Sequence, residues 1–195
     1  MKKTVLLLMA LVTLSMAESA DRVGPYIALG GGYALFNDDK RMQAATIDNS
    51  YNLNVIGGVF INKYLSVELA YDYYKRFENI ENANTTKITI VDVDAKAHYP
   101  LSQERIDLYA AFGAGQVLWR ETLEGVSQND KSNILRGDIG VGMRALEWLT
   151  VNVGYRRYFF SLEHNTGTQD SDNNIIYERY NMEVSSAYAN IEVQF

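Results

Sequence analysis

Ser186-Ala187-Tyr188-Ala189-Asn190-Ile191-Glu192-Val193-Gln194-Phe195 is the stretch that decides the fold. Ala187, Ala189, Ile191, Val193 and Phe195 are apolar, while Tyr188, Asn190, Glu192 and Gln194 are polar or amphipathic. Period-two alternation of this kind is a strand with one greasy face and one wet face. It runs to the final residue, which is aromatic.

The other end reads as a secretory signal. Lys2 and Lys3 precede a compact apolar run over residues 4–14, and Ser15-Met16-Ala17 places small residues where a signal peptidase reads them. Cleavage is expected after Ala17, with Ser19 or Ala20 as alternatives, so residues 1–17 form the signal and 18–195 the mature domain. The apolar run is too short to cross a bilayer as a helix, which needs about 20 residues. With no cysteine there is no lipid-anchor site, and nothing to oxidise in a thiol-hostile compartment. Loss of Lys2 and Lys3 takes the formal charge from -6 to -8, and an acidic chain is a poor partner for nucleic acid. The mature length suits one domain, and no second domain is expected.

Working back from the last strand, seven more amphipathic segments appear, at residues 26–36, 51–61, 65–74, 88–99, 106–120, 133–145 and 149–160, with the eighth at 182–195. Short turns at 62–64, 100–104 and 146–148 alternate with long polar connections at 37–50, 75–87, 121–132 and 161–181, expected to be loops. Pro25 and Pro100 fall at strand ends, where they break no ladder. Strands of about ten residues, an even strand count, short turns on one side and long loops on the other describe an all-β, eight-stranded antiparallel transmembrane barrel of the outer membrane.

A soluble antiparallel barrel would alternate too, with its greasy face inward. The wet face argues against it. That face carries Glu68, Asp72, Asp92, Asp94, Lys96, Asp107, Arg136, Asp138, Arg144, Arg156 and Glu192, interspersed with glycines at 30, 32, 58, 113, 115, 140, 142 and 154. Small residues on a water-facing wall serve no purpose, but in a narrow lumen they relieve crowding. The aromatics divide in the same sense. Tyr64, Tyr99, Trp148 and Phe195 lie near short turns, and Phe36, Tyr51, Tyr71, Tyr73, Phe77, Trp119, Tyr158, Phe159 and Phe160 near long connections, as two interfacial girdles would require.

The signal, Leu65-Ser66-Val67-Glu68-Leu69-Ala70-Tyr71, Leu149-Thr150-Val151-Asn152-Val153-Gly154-Tyr155 and the terminal Ile191-Glu192-Val193-Gln194-Phe195 resemble the small eight-stranded outer-membrane barrels of the OmpA and OmpX type. The resemblance covers the mature chain and implies fold and location. It also implies that Phe195, with Val193 and Ile191, is recognised by the barrel-assembly machinery. By default a monomer is expected, surrounded by outer-membrane lipid and lipopolysaccharide.

An eight-stranded barrel is only wide enough to be filled by side chains, so the eleven inward charges are expected to pair. Either they plug the lumen or they line a selective ion path. His98 is expected inside, near the short-turn end. Ser161, Glu163 and His164 at the outer rim are similar to the catalytic groups of lipid-A deacylase barrels, but the His-x-Ser-Asn arrangement is not present and the three lie too close along one segment to guarantee a triad. Asp170-Ser171-Asp172-Asn173-Asn174 starts like a calcium loop, then places Ile175 where glycine is needed and Asn181 where the bidentate Glu belongs. Gly113-Ala114-Gly115 and Gly140-Val141-Gly142 lack the third glycine and the Lys-Ser/Thr of a phosphate cradle. No cofactor, metal or catalytic residue is expected. A structural barrel displaying loops to extracellular ligands, a narrow porin or OmpW-like small-molecule channel, and a lipid-modifying or proteolytic barrel enzyme are the functional readings, in that order.

Overall fold

The structure is a computed structural model describing residues 22–37, 50–78, 85–101, 105–123, 126–169 and 175–195. The expected signal peptide and the 170–174 stretch lie outside the described residues. Eight strands follow in order: β1 (Gly24–Asn37), β2 (Ser50–Asn62), β3 (Leu65–Glu78), β4 (Thr85–Leu101), β5 (Ile106–Leu123), β6 (Val126–Leu146), β7 (Leu149–Gln169) and β8 (Ile175–Gln194). Each pairs antiparallel with its sequence neighbours, and β1 closes on β8 from Tyr26↔Gln194 to Asn37↔Glu183, giving a closed barrel without an edge.

Alternation along each strand sorts the side chains. In β2, Asn52, Asn54 and Ile56 are buried while Tyr51, Leu53 and Val55 are exposed. The same split runs around the wall, with Leu29, Leu69, Val93, Phe112, Ile139, Val153 and Ile191 all exposed. A continuous apolar exterior of that extent has no place in water and fits the hydrocarbon of a bilayer. The tight Lys63-Tyr64 turn is pinned by the Tyr64 N–H donating to Asn62 Oδ1 at 2.8 Å. With short turns on the periplasmic side, the other end faces outward.

Three expected loops are strand over much of their described length: in the 75–87 connection β3 runs on to Glu78 and β4 begins at Thr85, paired from Phe77↔Thr86 to Glu78↔Thr85. β5 and β6 stay paired from Glu121↔Gln128 to Leu123↔Val126, and β7 and β8 from Ser161↔Asn181 out to Gln169↔Ile175. β6 and β7 have 21 residues each, about twice what a tilted strand needs to cross the bilayer. These stretches keep their backbone ladder although their sequence, almost uniformly polar, lacks the apolar alternation that marks a strand.

Candidate functional site

The candidate site is the lumen, built in three tiers. At the periplasmic mouth, the segment before β1 folds inward. Arg22 forms an ion pair with Asp107, reaches Glu192 Oε1 at 3.2 Å and Thr150 Oγ1 at 3.2 Å, and stacks over the Phe60 ring at 4.4 Å. Asn152 Nδ2 donates to Asn190 Oδ1 at 2.9 Å and to Glu192 Oε2 at 3.1 Å.

The middle tier holds the densest charge. Arg136 on β6 pairs with Asp94 and, at 2.8 Å, with Asp92 on β4; its other terminal nitrogen meets Asp138 Oδ2 at 2.8 Å. Arg156 on β7 reaches Asp138 Oδ2 at 3.0 Å through Nε and Asp72 Oδ2 on β3 at 2.8 Å through Nη1. Lys96 Nζ lies 2.9 Å from Glu68 Oε1 and 4.3 Å from the Tyr109 ring centroid. Tyrosine hydroxyls complete the shells: Tyr158 donates to Asp72 at 2.7 Å, Tyr188 to Asp138 at 2.9 Å, and Tyr26 to Glu68. Buried charges survive only when paired and hydrogen-bonded in this way. The inward glycines make room for the rings. A Cβ at Gly58 would strike the ring of Tyr26, and Cβ atoms at Gly140 and Gly154 would strike Tyr109.

The outer tier is mostly apolar, with Ser50, Thr86 and Ser186 buried among it. Ala34, Tyr74, Ile88, Ile90, Val117, Trp119, Ile134, Tyr158, Phe160, Met182 and Val184 form one buried cluster, with Phe36 packed against it. Trp119, Tyr158 and Phe160 therefore point into the barrel rather than into the outer girdle, because their strand parity is inward. Tyr51, Tyr71, Tyr73 and Phe159 do face out.

Of the eleven expected lumen charges, ten lie buried inside with partners. Arg144 differs: it is only half-buried, and it forms no ion pair with a described residue. Its place beside the short 147–148 turn lets it reach toward solvent, and Arg22 already holds the nearby acids. Sequence reading missed Arg22, which precedes the first strand and so carries no alternation signal. It also missed the tyrosine hydroxyls, although Tyr109 and Tyr188 have inward parity facing glycines.

Ser66 Oγ lies 2.9 Å from His98 Nε2, and His98 Nδ1 lies 4.0 Å from Asp107 Oδ2. The order is that of a hydrolase triad. The third leg exceeds hydrogen-bond reach, Asp107 is engaged by Arg22, and Ser66 is fully buried. Glu163 and His164 lie within β7 rather than in a loop, and the Ser161 hydroxyl donates to Asn181 Oδ1 at 3.1 Å. At the closing seam, Ile191 faces lipid, and the Phe195 N–H donates to Pro25 O at 3.0 Å.

No curated protein sequence matches the chain. Solved structures do. Neisserial surface protein A superposes with a TM-score of 0.67 at 16% identity, covering 91% of this chain and all of that one. OprG from Pseudomonas aeruginosa gives 0.53 at 12%, covering 89% and 98%, and Ail of Yersinia pestis gives 0.52 at 14%, covering 87% and 98%. At such identities the likeness is one of fold. The sequence profile described as the Outer membrane protein beta-barrel domain matches residues 4–189. The chain belongs to the outer membrane protein β-barrel domain family and is an integral protein of the outer membrane.

Proposed function

We propose that this barrel is a closed structural element of the outer membrane, working through its outward-facing ribbons and connections rather than by conduction or catalysis. One observation carries the reading: the ion pair between Arg156 on β7 and Asp72 on β3 joins strands on opposite sides of an eight-stranded ring, so a buried charged pair spans the lumen. The cluster above it adds a second, mostly apolar layer that disfavours hydrated ions. Ile191, Val193 and Phe195 would present the assembly signal to the machinery that inserts the barrel. Solute flux from proteoliposomes tests the reading; folded protein is expected to leave a small sugar and potassium trapped.

A second reading, a narrow cation path, is favoured by charge imbalance. Among the described residues, seven acids and four cations are buried in the lumen, and Asp92 Oδ2 and Asp94 Oδ1 have no hydrogen-bond partner. Potassium flux exceeding chloride flux, reduced by Asp94→Asn, would establish it.

A further inference from the structure

The periplasmic mouth holds a charged group that belongs to no strand. Arg22 lies two residues ahead of β1, yet it is buried. Four strands hold its guanidinium at once. Nη1 pairs with Asp107 on β5, Nη2 reaches Glu192 Oε1 on β8 and Thr150 Oγ1 on β7 at 3.2 Å each, and the fork stacks over the Phe60 ring of β2 at 4.4 Å. Two of the receiving groups are fixed by other neighbours. Asn152 Nδ2 donates to Glu192 Oε2 at 3.1 Å, and the Phe60 ring packs against Tyr26 and His98 with centroids 4.6 Å and 5.1 Å away. The contacts run through the two terminal nitrogens and the flat face of the fork. Arg22 Nε has no hydrogen-bond partner among the described residues. The stem of the side chain therefore acts as a tether, and a free guanidinium can satisfy the same groups.

The tether is short and hinged. Strand pairing begins at Gly24↔Phe60, and Val23 is exposed. Gly24 has a φ of 122°, in the region that favours glycine and strains any other residue. This turn carries the chain from β1 back into the mouth. We infer that the periplasmic mouth is a guanidinium-binding site, which the chain fills with its own Arg22 as a tethered ligand and which takes an arginine-type cation from the periplasm when the segment swings out on Gly24. Two carboxylates, a hydroxyl and an aromatic face select a planar, forked cation. An ammonium is a point charge and cannot meet both acids while stacking on the ring. The inference depends on the barrel fold and is indifferent to whether the lumen conducts.

The test is chemical rescue of Arg22→Ala in the full mature protein refolded in detergent, with methylguanidinium as the probe and methylammonium as its control. Removing Arg22 strands two buried carboxylates, so the variant should unfold at a lower temperature on heat-modifiable gels. Methylguanidinium is expected to restore the midpoint, half-saturating at a concentration at least about tenfold below that of methylammonium. Arg22→Ala combined with Glu192→Gln should lose that preference. In wild type the probe competes with the tethered side chain, so amide exchange at Val23, read by NMR, should rise with methylguanidinium and not with methylammonium. Should Arg22→Ala fail to fold alone, methylguanidinium must recover its refolding yield where methylammonium does not. No rescue, equal rescue by the two cations, or a preference that survives Glu192→Gln would each overturn the site. Exchange at Val23 that ignores the probe would overturn the swing on Gly24.

Discussion

Arg156 Nη1 and Asp72 Oδ2 lie 2.8 Å apart across the barrel, although 84 residues separate them in sequence and their strands are diametrically opposed. Both side chains are fully buried, so the bridge replaces water with fixed opposite charge. Removing one partner leaves the other stranded, which costs about 3–5 kcal/mol. Arg156→Ala is therefore expected to lower unfolding stability in urea by that amount. The double change Arg156→Met with Asp72→Leu should lose less than the sum of the two single changes, because neither charge is then left alone.

The lipid-facing assignment predicts an asymmetry between adjacent positions. Val153 is exposed on the wall, while its neighbour Asn152 is buried in the lumen. Val153→Arg should cost about 2–4 kcal/mol in a refolding titration into vesicles if the residue meets the bilayer midplane. A neutral effect would place the apolar face somewhere other than lipid.

Gly140 and Gly154 define a notch for the Tyr109 ring. Gly140→Val should destabilise the barrel by about 1–3 kcal/mol through overpacking. Tyr109→Ala in the same chain should recover part of that loss, whereas a distant truncation should not. Thermal migration shift on gels measures both.

The carboxy-terminal seam predicts a failure of assembly rather than of fold. Phe195 donates one backbone hydrogen bond to Pro25, and its neighbours already close β8 on β1. Deleting Phe195 should thus reduce the outer-membrane level in cells while leaving purified protein able to refold in detergent. Equal loss in both settings would make Phe195 a packing residue instead of a signal.

The transmembrane part of the fold was legible because every strand there separates two solvents, lipid and lumen, and each writes its own residue type at alternate positions. Leu65 through Tyr74 is a clear example, with Val67 and Leu69 out and Glu68 and Asp72 in. Residues 121–123 and 161–169 were not legible, since their sequence is almost uniformly polar and carries no period-two alternation. Ten of the lumen charges could be named from parity alone, while Arg22, ahead of the first strand, could not, and neither could the pairing. Arg156 selecting Asp72 depends on closure of the ring and on the stagger between strands, which no local pattern encodes. Trp119, Tyr158 and Phe160 misled for a related reason: position near a strand end suggests a girdle, but parity sends them inside.

The central claim is that the lumen is barred, and conductance across a planar bilayer tests it most directly, comparing folded wild type with Arg156→Ala. The account predicts a wild-type trace indistinguishable from the protein-free bilayer, with openings appearing only when the Arg156–Asp72 bridge is removed. Reproducible wild-type openings that Arg156→Ala leaves unchanged would contradict it.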